Sequence, residues 1–177
     1  MPSEDAARAQ RQTAARRRGI EKIMANRKQR RERWRAEAIS LWEKWKHDPL
    51  FVLGVGLYWG EGEKQSSNKR LALSNSDPNL LRTWLRWCAR FVPGVRLNFW
   101  LCIHDTCDQA AARAFWRREL NVEITWVSVA VSRASKRRRK TLPHGTLKIS
   151  LGRGSLEWYT KMLVWLDLAH QLQATYE

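Results

Sequence analysis

Three glycines and an acid within eight residues are the feature of the chain that points most sharply to chemistry. Leu50 to Gly60 reads Leu-Phe-Val-Leu-Gly-Val-Gly-Leu-Tyr-Trp-Gly, and Glu61, Gly62, Glu63 and Lys64 follow. Glycine inside a helix costs about 0.5–1 kcal/mol relative to Ala, so Gly54, Gly56 and Gly60 together cost about 2–3 kcal/mol. A helix retains that cost where a side chain has no room. Gly56 and Gly60 are one turn apart and clear a stripe for close approach of another helix. The large apolar neighbours read as a buried helix. Glu61 falls at the C-terminal end, where the macrodipole favours cations. A bound divalent cation would compensate its carboxylate, and so would Lys64. Gly62 reads as a left-handed cap, and Glu63, one step further on, as a solvated residue.

The other candidates sit on strand-like segments. Val95 to His104 alternates: Leu97, Phe99, Leu101 and Ile103 face one way, while Arg96, Asn98, Trp100, Cys102 and His104 face the other. In Thr146 to Leu151, Leu147, Ile149 and Leu151 share one face, and Thr146, Lys148 and Ser150 share the other. A sheet needs only one face buried. The opposite face here is polar, basic and aromatic, and it lacks the acids of an ordinary solvated surface. Arg70, Arg96, Asn98, Lys148 and Arg133 suit a duplex, because Arg and Asn read guanine and adenine edges bidentately in the major groove. Lys64 and Lys69 join them as DNA-binding candidates. Trp100 is the candidate for base stacking. The run Lys136, Arg137, Arg138, Arg139 and Lys140 reads as a loop that touches phosphate without reading sequence. Cys102, His104 and Cys107 lack a fourth ligand for structural zinc. Eleven tryptophans mostly fall at core spacing.

A chain of 177 residues with 44% hydrophobic content allows a real core, and a formal net charge of +16 attracts polyanions. No apolar run reaches spanning length, no signal-peptide h-region opens the chain, and three scattered cysteines make no disulfide framework. The expected setting is therefore cytoplasmic, intracellular and nucleoid-associated, without a membrane partner. Residues 1–35 read as a basic N-terminal arm, helical or disordered, which either orders on a polyanion or stays a solvated tail. Residues 36–177 read as one domain. Its expected elements are an amphipathic helix from Trp34, a helix capped by Asp48-Pro49, and a strand from Lys69 to Ser74. A helix capped by Asp77-Pro78 and the Val95–His104 strand come next. Then follow a helix from Cys107 to Leu120, strands Val122–Val131 and Thr146–Leu151, and a last helix from Ser155 to Gln173. The fold class is α+β, with helices on one face of a mainly antiparallel sheet.

The segment Gly54-Val55-Gly56-Leu57-Tyr58-Trp59-Gly60-Glu61-Gly62 resembles the nine-residue signature of the LAGLIDADG homing endonuclease family, and Leu73-Ser74-Asn75-Ser76-Asp77-Pro78 resembles a strand-to-helix junction of its single-motif members. The likeness covers roughly residues 50–168 and omits the basic arm. It implies an α-β-β-α-β-β-α core with a saddle-shaped antiparallel sheet that sits in the DNA major groove. With a single motif it implies a homodimer joined through Leu53, Gly56, Leu57 and Gly60. The two Glu61 carboxylates would then hold Mg²⁺, or another divalent cation, for phosphodiester hydrolysis. Lys148 is either a helper cation beside the scissile phosphate or an ordinary phosphate contact. Bulky Tyr58 and Trp59, and a helix inserted in the second half of the sheet, depart from the pattern. A non-catalytic sequence-specific DNA-binding regulator and an RNA-binding maturase are the alternative functions on this scaffold.

Overall fold

Two Asp-Pro pairs start two helices of the core. Asp48 stands in extended backbone before Pro49, and its carboxylate accepts from the amides of Leu50 (2.9 Å) and Phe51 (3.3 Å). These are donors that the first helical turn leaves open. Asp77 accepts from Asn79 (2.8 Å) in the same way, ahead of Pro78. Asp108 is a third cap, accepting from Ala110 and Ala111, and it moves the start of its helix from the expected Cys107 to Gln109.

The computed structural model describes residues 4–64, 69–130 and 142–173. In chain order the elements are α1 (Glu4–Trp45), α2 (Pro49–Glu61), β1 (Ala72–Asn75), α3 (Pro78–Phe91), β2 (Leu97–His104), α4 (Gln109–Leu120), β3 (Trp126–Ala130), β4 (Thr146–Leu151) and α5 (Ser155–Gln173). The class is mixed α+β. The strands lie in the order β1-β4-β2-β3. β4 runs antiparallel to both β1 and β2, whereas β2 and β3 are parallel. The antiparallel expectation therefore fails at this last pair. The cause is α4, which provides a crossover long enough for a parallel ladder. Between α2 and α3 the described residues hold one strand and a single Gly62–Leu73 bridge, where the resemblance implied two strands.

The inward face of the sheet, Leu73, Leu101, Leu147 and Ile149, is fully buried with Phe51 and Tyr58 of α2, Leu81 and Trp84 of α3, and Met162 and Trp165 of α5. Trp34, Trp42, Trp84, Trp87, Trp116 and Trp165 are buried, so most tryptophans do serve packing. Trp84 and Trp87 stack at 4.8 Å with planes 5° apart, and the Trp87 indole donates to the Phe51 carbonyl at 3.2 Å. That indole lies against Gly54, where a Cβ would overlap it. Cys88, behind it, is so dry that its thiol is pushed up to about 12 and stays protonated at neutral pH.

The expected boundary at residue 35 is not a break in the backbone, because α1 runs straight through it. What changes there is burial. Residues 12–33 are exposed, while Trp34, Ala38 and Trp42 are buried. The helix is held to α5 by Lys161, whose ammonium reaches Glu37 (2.9 Å) and Glu157 (2.7 Å) with only 4% of the residue exposed. The Trp165 indole donates to the Ala38 carbonyl alongside. A buried lysine is tolerable here because two carboxylates share it.

Candidate nucleic-acid interface

The register of the sheet sets one row of residues across all four strands on the face away from the core. Ser74 pairs with Lys148, Lys148 with Trp100, and Trp100 with Trp126. Trp100 and Trp126 are both exposed, with ring centroids 5.7 Å apart and planes tilted by 36°. Beside this row, Thr146, Cys102 and Ser128 continue the open face. On its other side Ala72 and Ser150 are buried, and Asn98, in their row, is half-buried. Asn98 is thus less accessible than the alternation implied. Lys69, Arg70 and Arg96 are exposed. Arg133, Lys136, Arg137, Arg138, Arg139 and Lys140 lie outside the described residues.

The end of α2 differs from expectation in two ways. Gly62 is extended (φ −74°, ψ 148°), not left-handed. Glycine is needed there for space, since a side chain would overlap the Tyr58 ring and carbonyl. Glu63 is not solvated. Its amide donates to Ala72 (2.9 Å), its carbonyl accepts from the Tyr58 hydroxyl (2.6 Å), and its carboxylate pairs with Lys148. Burial first, then Tyr159 and Glu63, push the Tyr58 hydroxyl pKa up, so it remains a donor. Lys64 donates to the Trp59 carbonyl, supplying the cation that a helix C-terminus favours. The helix end therefore does not require a metal.

Glu61 is exposed on the last turn of α2, and it makes no ion pair among the described residues. Lys148 is joined to Glu63, so Glu61 and Lys148 are not brought together as a pair. Among the described residues no three His, Cys, Asp or Glu cluster as metal ligands. Cys107 donates to the Leu142 carbonyl (3.4 Å), and Cys102 accepts from Ser128 (3.3 Å).

On the outer face of α2, which carries the residues of the implied dimer interface, Val52, Leu53, Gly56, Trp59 and Gly60 are exposed in the protomer, and Leu57 is half-buried against the core. A Cβ on Gly56 or Gly60 would meet nothing within 4 Å. Of the glycines within the helix, only Gly54 is required by packing inside the protomer.

Sequence reasoning missed Trp126 and Glu63. The first was legible, because Trp126 and Ser128 alternate with Val127 and Val129 and so belong to the polar face. The second had no local signal, since Lys148 lies 85 residues further along the chain. Replacing Glu63 with Gln should release Lys148 toward phosphate. Duplex affinity should rise several-fold at low salt, with the salt slope steeper by about 0.9 for the one added contact. Titration across a salt series reads this directly.

No helix among the described residues is long and apolar enough to cross a membrane. Comparison of the chain with protein-family models, curated proteins and solved structures returns no match.

Proposed function

We propose that the chain binds duplex DNA through the open face of its sheet as a homodimer joined along α2, and hydrolyses phosphodiester bonds at the paired ends of that helix. The observation that carries this reading is the outer stripe of α2. Val52, Leu53, Gly56 and Gly60 form an exposed apolar seam with room for a second helix, and it ends on the exposed carboxylate of Glu61. A two-fold axis along the seam would bring two Glu61 side chains together. The Trp100–Trp126 row and Arg96 then form part of the surface that meets the duplex.

One protomer does not make a metal site, but the donor chemistry fits. A hard carboxylate oxygen from each of two chains is the kind of ligand that Mg²⁺ takes alongside water and phosphate. The two Glu61 residues would hold it, and the bound cation would supply Lewis-acid stabilisation of phosphate charge. Arg96, Arg70 and Lys69 would position the backbone, and Trp100 with Trp126 would pack against it or a base. Glu63 keeps Lys148 neutralised until phosphate competes for it.

That last pairing favours a second reading, a DNA-binding regulator without turnover, since a helper cation already paired with an acid is poorly placed to act on phosphate. The test is to incubate the protein with a diverse pool of duplex DNA, with Mg²⁺ or with chelator, and map new ends. Sedimentation of the free protein runs beside it. Metal-dependent discrete ends from a dimer support the endonuclease. Enrichment of specific duplexes without ends sinks catalysis and leaves the regulator. Preference for structured RNA over duplex sinks both.

A further inference from the structure

We propose that the exposed part of α1 is a second, sequence-independent DNA-binding element that lies along the duplex beyond the segment covered by the sheet. The inference rests on the duplex-binding reading above. Between Glu4 and Arg33 the helix carries eleven Lys and Arg against four Asp and Glu. Glu21 and Glu32 pair with Arg17 and Lys28, and among the described residues no ion pair engages Arg16, Arg18, Lys22, Arg27 or Arg31. The whole stretch from residue 12 to 33 is exposed.

Two features turn this charge into a placed element. The first is continuity. The same helix is anchored further along by Lys161 between Glu37 and Glu157, by the Trp165–Ala38 hydrogen bond, and by buried Trp34 and Trp42. Its direction is therefore set by the core. Thirty residues at 1.5 Å each reach about 45 Å beyond that anchor, equivalent to about 13 base pairs. The second is distribution. At about 100° per residue, Arg16, Arg27 and Arg31 fall on one side of the helix and Arg18 and Lys22 on the opposite side. A helix resting on a lipid surface concentrates apolar residues on one broad face. Here the exposed apolar residues of this stretch are Ile20, Ile23 and Met24. Pairing with the arm of a second copy would set two strongly positive helices side by side. A groove of duplex DNA, with phosphates on both flanks, matches cations pointing several ways.

The test uses the full chain with Arg16, Arg18, Lys22, Arg27 and Arg31 all replaced by Gln, which keeps helix propensity. Native and substituted proteins are compared by footprinting and by affinity across a salt series, on duplexes of about 20 and about 50 base pairs. On the long duplex the native footprint should be about 13 base pairs longer for each arm. The salt slope should be steeper by about 3–4, which corresponds to four of the five cations releasing counterions. On the short duplex the two proteins should differ little. Equal footprints and slopes on the long duplex overturn the inference while leaving the sheet-face reading intact. So does loss of self-association by the substituted protein without DNA, which would assign the arm to a second copy. Loss of binding to anionic vesicles with an unchanged footprint overturns it as well. Failure of the native protein to bind either duplex overturns the duplex reading itself.

Discussion

Glu61→Gln should reduce metal-dependent cleavage about a thousandfold, equivalent to about 4 kcal/mol of transition-state stabilisation, while duplex affinity stays within about threefold. Gln keeps the size and a carbonyl oxygen but removes the charge that a divalent cation needs. Glu61 is exposed and makes no ion pair among the described residues, so the fold has no stake in its charge. The thermal midpoint should be unchanged. Loss of activity with intact binding and stability assigns the residue to the reacting site. Cleavage at native rate would remove Glu61 from the mechanism, and with it the reason to pair the two helix ends. The same substitution in a protein that only binds would change neither measurement.

The second large effect separates the glycines of α2. Gly54→Ala should destabilise the protein by about 2–4 kcal/mol, since the added methyl overlaps the Trp87 indole and threatens its hydrogen bond to Phe51. For a chain of this length that is a fall in midpoint of roughly 5–15 °C. Trp87 cannot step aside cheaply, being stacked on Trp84 and edged by Phe91 and Trp165. Gly56→Ala carries the opposite expectation in the isolated protomer, where the site is open and Ala gains up to about 1 kcal/mol in helix propensity. If the α2 seam joins two copies, Gly56→Ala should weaken the dimer. Calorimetry and sedimentation on the pair of variants read the two effects separately. Unchanged sedimentation of Gly56→Ala, with a midpoint at or above the native one, would mean that the outer stripe has no partner to lose.

Local rules carried far at the helix starts, where an Asp in extended backbone before Pro leaves little choice. They carried equally far on β2 and β4, whose alternation named the buried face correctly. They failed where the deciding partner is remote. Whether β2 and β3 run parallel depends on how α4 packs back, and a strand's own sequence does not encode its neighbour's direction. Gly62 was read from its position after a helix, but it is held by what Tyr58 occupies, one turn earlier. The surroundings of Glu63 predict a solvated side chain, because Lys148 lies far along the chain. The electrostatic case for a metal at the helix end weakened for the opposite reason. Lys64 was close by, and the local alternative was the one realised. The candidate seam on α2 was legible as glycine spacing, but its exposure was not, because composition alone marks a half-buried helix and a fully buried one alike.

The strand order has a consequence for how the chain is made. β4 is the central partner that joins β1 to β2, with Ala72 opposite Ser150 and Leu97 opposite Leu151. A ribosome adding about 5–20 residues per second needs about 4–15 s to go from β1 to β4. Throughout that interval Leu73 and Leu101 have neither a completed sheet nor a closed core to hide them, and α2 has emerged with its apolar surface uncovered. The nascent chain is therefore sticky and strongly cationic at once, exposing apolar residues while carrying a large positive charge.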